Sequence, residues 1–294
     1  MTTVIASRPH YAAHLAPITN LLSPDLDVAL VASYHDLCAA RRAGHRRIVL
    51  AQHGAGQSYG GDRRSTHNPA YPGGADNAAA GLFLVPNDHA AARWRAAYPR
   101  ASVAVVGSPR LDVLPARESG PGPVIATAFH WECRVCPEAR SALAWHRPGL
   151  RRVAGQFTTI GHGHPRRRDL DALYAGLGVE RVADFDEVCR RADVFVCDNS
   201  SALFEFAATG RPVVILNAPH YRREVRHGLR FWDAATVGVQ VDNPADLPAA
   251  IERALELRPE DVAAREHALG LVYAYRSGAA ERAARAIEEW SCAS

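Results

Sequence analysis

Three short stretches hold residues whose types and spacing suit phosphate chemistry. Residues 198–201 read Asp-Asn-Ser-Ser, after an apolar run and before an alanine-rich stretch that ends at Gly210, with Glu205 one helical turn further in. The N–H groups of a helix start, with two hydroxyls beside them, suit a phosphate; a carboxylate one turn on suits ribose hydroxyls. The same serines would also simply cap a helix. Residues 162–168 read His-Gly-His-Pro-Arg-Arg-Arg. Imidazole and guanidinium groups at a strand end neutralise a diphosphate, and they equally make a basic surface turn. His53 and Gly54 follow a third apolar run. An imidazole with an unperturbed pKa near ~6.5 can accept a proton from an attacking hydroxyl at neutral pH, or it can be an ordinary polar residue where a strand stops.

Strands and helices must position these residues. The chain has 294 residues, 48% hydrophobic and 22% charged, which is ordinary for a soluble globular protein; its length suits two domains. Short β-type runs alternate with alanine-rich helical stretches. Strands are expected at 3–7, 28–33, 47–52, 81–86 and 102–107, with helices near 10–22 and over 34–44. A third helix starts at an Asn87 or Asp88 cap and stops at Pro99. Residues 114–124, dense in proline and glycine, read as a linker. Strands resume at 124–129, 157–162, 193–198, 212–217 and 237–241, and helices follow from Pro244 onward. This alternation indicates parallel sheets covered on both faces. Such sheets bind ligands at the carboxyl ends of their strands, and two such domains bind them in the cleft between.

Composition excludes other classes. No apolar run reaches the ~18 to 20 residues that span a bilayer, and the first residues lack a basic segment before an apolar one. The expectation is a soluble cytoplasmic protein, with a peripheral place at the inner membrane face as the alternative. Cys38, Cys189 and Cys197 fall inside apolar runs, as reduced buried thiols do. A formal charge of +3 does not by itself predict nucleic-acid binding. His130, Cys133, Cys136 and His146 have a spacing that metal sites use, but one Cys-x-x-Cys without a second pair is a weak signal and no metal is expected.

In order and spacing, these pieces resemble the CDP-glycerol glycerophosphotransferases, the teichoic-acid primase and polymerase group of the GT-B superfamily. The residues that carry the resemblance are Gln52-His53-Gly54-Ala55-Gly56 continuing to Gly60, Gly107-Ser108-Pro109-Arg110-Leu111-Asp112, residues 126–132, His164-Pro165, the block from Asp198 to Phe206, Gly210-Arg211-Pro212, and residues 221–233. It spans about residues 47 to 250. Gln52 stands where the family usually has an aromatic, and no basic residue follows directly after His53-Gly54.

The resemblance implies an α/β GT-B fold of two Rossmann-like domains facing an interdomain cleft. The first, 1–115, would take the acceptor, and the second, 121–275, the nucleotide donor; a C-terminal helix at 276–294 would return to the first. It implies His53 as general base and His164 as a second catalytic residue. Asp198, Asn199, Ser200, Ser201, Glu205 and Arg226 would bind the donor diphosphate and ribose, and Gly54, Gln57, Arg63, Arg64 and Arg110 would face the acceptor. Helix ends and basic side chains would do the electrostatic work without a cofactor or metal, the nucleotide-diphosphate donor being a substrate. The expected acceptor is a hydroxyl on a polyol phosphate, a glycan or a nucleic acid. Rival readings are a glycosyltransferase acting on a soluble acceptor such as a modified nucleic-acid base, an epimerase-like enzyme, and a non-catalytic nucleotide-binding protein.

Overall fold

A computed structural model of the chain describes residues 1–55, 78–132, 137–221 and 237–293. Gln57, Arg63, Arg64, Cys133, Cys136 and Arg226 lie outside the described residues. The chain divides into two compact units, Met1–Val113 with Gly270–Ser294, and Leu114–Leu269.

The first unit is built on five parallel strands, β1 (Thr3–Ile5), β2 (Ala29–Val31), β3 (Ile48–Ala51), β4 (Leu82–Val85) and β5 (Ser102–Val105). They lie side by side in chain order. Successive residues of a strand point to opposite faces, so each apolar run supplies two cores. Val49, Ala51, Leu82 and Leu84 meet α1 (Pro9–Thr19) and α10 (Ala279–Ala293) on one face. Ile48, Leu50, Phe83 and Val85 meet α2 (Tyr34–Arg42) and α3 (Asp88–Ala97) on the other. Local chemistry sets the helix starts. Ser33 Oγ accepts the Asp36 N–H at 3.1 Å ahead of α2. Asn87 Oδ1 accepts the Ala90 N–H at 2.8 Å ahead of α3, so Asn87 and not Asp88 is the cap.

The second unit has six parallel strands: β6 (Val124–Phe129), β7 (Thr158–Gly163), β8 (Glu180–Arg181), β9 (Val194–Cys197), β10 (Val213–Leu216) and β11 (Val239–Val241). Their order is β11-β10-β9-β6-β7-β8. The chain winds from β6 out to β8, then returns to place β9 on the other side of β6. That reversal makes a switch point at the carboxyl ends of β6 and β9, the place where ligands bind in such sheets. One face is packed by α4 (Leu143–Gln156) and α8 (Leu247–Leu255) through Leu150, Val153, Leu247 and Ile251. On β9, Phe195 stacks on Phe206 of α7 (Ala202–Ala208) at 5.2 Å and meets Phe185 of α6 (Phe185–Arg191) edge-on at 5.8 Å. The remaining helices are α5 (Asp169–Gly176) and α9 (Pro259–Val272).

Residues 114–123 have no regular structure, yet Arg117 holds both carboxylate oxygens of Asp193 at 3.0 Å and the Glu118 N–H donates to the Arg190 carbonyl at 2.8 Å.

Candidate functional site

The switch point of the second unit is organised around a buried carboxylate. Asp198 directly follows β9 and has no exposed surface. Its Oδ1 accepts the N–H groups of His130 and Asn199, each at 2.8 Å. Its Oδ2 accepts the Ser141 hydroxyl at 3.1 Å and the Ala142 N–H at 3.0 Å. A carboxylate fully engaged in this way ties together the ends of β6 and β9 and the entry to α4. Asn199, also buried, donates to the carbonyls of Glu138 and Arg140. Asp198 and Asn199 therefore brace the switch point, and the next two residues stand at its surface. Ser200 and Ser201 are half-exposed. Ser200 Oγ accepts the Ala202 N–H at 3.3 Å, whereas Ser201 precedes α7 without a side-chain cap bond. Glu205 is buried one turn into α7. With only seven residues, α7 offers a small dipole, so the hydroxyls carry more of any phosphate contact than the helix end does.

His164 sits past the end of β7. Gly163 makes this possible: its φ is +154°, and a β-carbon there would overlap Leu170 Cδ1 and stand 3.0 Å from the Phe129 carbonyl oxygen. The Arg166 N–H donates to His164 Nδ1 at 3.1 Å. Nδ1 is thus the accepting nitrogen, and in the neutral ring Nε2 carries the proton. His130 approaches His164 edge-on at 5.4 Å, Trp131 lies 6.0 Å from it, and the Arg166 guanidinium covers Trp131 at 4.6 Å. Burial lowers the pKa of His130, against a smaller upward pull from Asp198. His162, one strand position before Gly163, is pushed down to about 4 by burial.

His130 and His146 are not arranged as metal ligands. His130 Nδ1 donates to the Ala139 carbonyl at 3.3 Å, and His146 Nε2, without exposed surface, to the Asn217 carbonyl at 2.6 Å. A cavity of about 380 Å³ lies at the opposite, amino-terminal rim of the sheet, lined by Arg117, Asp193, Arg211, Pro212 and Leu257. It is remote from the residues described above, because Pro123, Asp193 and Pro212 precede strands whose other ends carry the site.

In the first unit, His53 lies two residues past β3. Its Nδ1 meets the Ala32 carbonyl. A carbonyl only accepts, so Nδ1 carries the proton and Nε2 is the basic nitrogen. Gly54 follows with φ +73°, a conformation that lets the chain turn directly after the histidine. Tyr11 of α1 contacts the His53 ring edge-on at 4.7 Å. His10 and His14 of the same helix place their rings 6.2 and 6.0 Å from it. Arg110 is buried in the short helical turn Pro109–Val113, which packs on α1. Asp112 in that turn accepts the Ala280 N–H at 2.7 Å and so secures the start of α10. Gln52 Oε1 accepts the Trp94 indole N–H at 3.1 Å.

Residues 175–289 match the model of the CDP-Glycerol:Poly(glycerophosphate) glycerophosphotransferase family. The matched stretch contains the block from Asp198 to Phe206, so the resemblance read from the motifs is borne out where its most specific motif lies. The expectation of a transferase is borne out with it. No curated protein matches the sequence. Among solved structures, the Wall Teichoic Acid Polymerase TagF soaked with CDPG is 13% identical, with a TM-score of 0.60 over 90% of this chain and 72% of that one. A Listeria monocytogenes protein assigned as a UDP-N-acetylglucosamine 2-epimerase is 12% identical, with a TM-score of 0.65 over 100% of this chain and 96% of that one. The S. aureus MnaA-UDP structure is 15% identical, with a TM-score of 0.57 over 90% and 74%. At these identities the likeness is one of fold, and it bears out the GT-B architecture.

His164 follows β7, and Ser200 and Ser201 follow β9, at the same edge of the second sheet, with Asp198 and Asn199 buried between the ends of β6 and β9. The first unit gathers His53, Gly54 and Arg110. Sequence reading missed His10, His14, Ser141, and the contact of His130 and Trp131 with His164. Only the four-residue spacing of His10 and His14 on a helix carried a visible signal, since it puts both on one face.

Proposed function

We propose that this chain transfers glycerophosphate from CDP-glycerol to a hydroxyl of a polyol-phosphate acceptor. His53 Nε2 takes the proton of the acceptor hydroxyl. The oxygen attacks the β-phosphorus, the bond from that phosphorus to the bridging oxygen breaks, and CMP leaves. His164 donates its Nε2–H to a phosphate oxygen and stabilises the charge that grows there. Ser200 and Ser201 hydrogen-bond the diphosphate, and Glu205 lies toward the ribose. Asp198 and Asn199 serve by holding these groups in place.

The observation that carries this reading is the opposite setting of the two histidines. A carbonyl fixes His53 with its outer nitrogen basic, and a backbone N–H fixes His164 with its outer nitrogen protonated. Phosphoryl transfer by an alcohol needs one of each. Donor chemistry is tested by incubating the protein with CDP-glycerol, UDP-glucose or GDP-mannose and a glycerol-phosphate acceptor, and following the released nucleotide. CMP from CDP-glycerol alone is expected. Release of UDP or GDP from a sugar nucleotide, with CDP-glycerol inert, would contradict the assignment.

A further inference from the structure

The cavity at the amino-terminal rim of the second sheet has no part in the proposed transfer. It lies wholly within the second unit, where the linker enters β6, where β9 and β10 begin and where α8 ends. At about 380 Å³ it falls in the range of pockets that hold small molecules. Its charged groups are the guanidiniums of Arg117 and Arg211 and the carboxylate of Asp193. Arg117 and Asp193 answer each other: Nε and Nη2 meet Oδ1 and Oδ2, each at 3.0 Å, and Oδ2 also accepts the Val124 N–H at 2.8 Å. Arg211 has neutral partners. Its Nε donates to Thr209 Oγ1 at 2.9 Å, its Nη1 to the Cys189 and Ala192 carbonyls, each at 2.6 Å, and its face covers Phe206 at 4.4 Å. Its Nη2 is buried without an acceptor among the described residues. These contacts fix the guanidinium in place without neutralising it, and burial, the largest influence on it, disfavours its charge. A desolvated cation with no carboxylate bonded to it favours an anion beside it.

The rest of the lining is apolar or glycine. A β-carbon added at Gly122 or Gly210 would meet no atom within 4 Å, so nothing of this chain fills the space beside them. Leu257, half-exposed in the same wall, has φ +51° and is the one non-glycine residue with positive φ among the described residues. The chain thus accepts backbone strain to hold a leucine there, and such strain gathers where ligands are clamped. We propose that this cavity binds a small organic anion, a carboxylate or a phosphate ester on a short apolar body. The charged head lies beside Arg211 and the body against Pro123, Pro212, Leu255 and Leu257. The site is separate from that of the donor, because Pro123, Asp193 and Pro212 precede strands whose far ends carry Asp198 and Ser200. It therefore stands or falls independently of the transfer proposed above.

The probes are hexanoate, phenyl phosphate, inorganic phosphate and hexylammonium, titrated into the full chain and followed through the methyl resonances of Leu255 and Leu257. Hexanoate or phenyl phosphate is expected to shift both leucines saturably, the tighter of the two naming the head group. Inorganic phosphate, which lacks the body, should bind more weakly, and hexylammonium should not bind. Leu257→Glu brings a carboxylate to the cavity and should raise the Kd of the organic anion by about tenfold or more, while the neutral Leu257→Gln stays within about threefold. Matching melting temperatures report that both variants fold. The proposal is overturned if neither organic anion shifts these methyls saturably, if hexylammonium binds as tightly, or if Leu257→Glu keeps the affinity of Leu257→Gln.

Discussion

At the scale of single residues, the chemistry depends on which nitrogen of each histidine carries the proton. Nitrogen-15 NMR of the neutral rings should show His53 protonated at Nδ1 and His164 at Nε2; the reverse assignment for either would remove its proposed role. His162 supplies a stability switch of known sign. Its folded pKa of about 4 lies below the ordinary 6.5, so the unfolded chain binds the proton more readily. The contribution is complete above the unfolded value and is lost as pH falls from there toward 4, a swing of about 3 kcal/mol. His162→Gln should flatten the urea-denaturation midpoint across that window, and an unchanged slope would contradict the burial argument. Asp198 makes a larger prediction. Asp198→Ala strands four buried donors and should cost roughly 3 kcal/mol or more, whereas a surface ligand-binding carboxylate would cost less than about 1 kcal/mol.

Elements were the most legible scale. β1 to β7 and β9 to β11 were expected within a few residues of where they lie, and the clearest apolar runs, β2 to β4, β9 and β10, are buried on both faces. The two-residue edge strand β8 has no such run. Helices α4 to α6 were expected only as helical or loop segments; α4 carries Pro148 and Gly149 and starts without a side-chain cap, so its sequence lacks the usual punctuation. Asn87 shows how a cap serves more than its own helix. Its Oδ1 takes the Ala90 N–H at 2.8 Å and its Nδ2 donates to the Val272 carbonyl at 2.7 Å. Asn87→Ala should therefore cost about 2 kcal/mol, more than the ~1 kcal/mol of a cap alone. A loss confined to the cap value would mean that Val272 finds another partner. The site was legible in part for a related reason. His53, His164 and the serines follow apolar runs and announce themselves as strand-end groups, while His10, His14 and Ser141 acquire meaning only when the sheets bring them beside residues 39 to 57 positions away.

At the scale of the whole molecule, each of the two units has its own sheet and its own core. The first unit is closed by the C-terminal helix: Ala283, Ala284 and Ile287 of α10 enter the same core as β2 to β4, and Trp290 lies over Gly81. Ile287→Asp places a charge in that core and should strip amide protection from β1–β5 while β6–β11 keep theirs; equal loss in both sheets would contradict this division. No helix among the described residues is long and apolar enough to cross a membrane. The central claim is that His53 activates the acceptor and leaves donor binding to the other unit, and the most direct measurement compares turnover and affinity in His53→Ala. CMP release from CDP-glycerol should fall by about 10²- to 10⁴-fold with the Kd for CDP-glycerol essentially unchanged. Turnover that survives the substitution, or affinity that falls in step with it, would contradict the account.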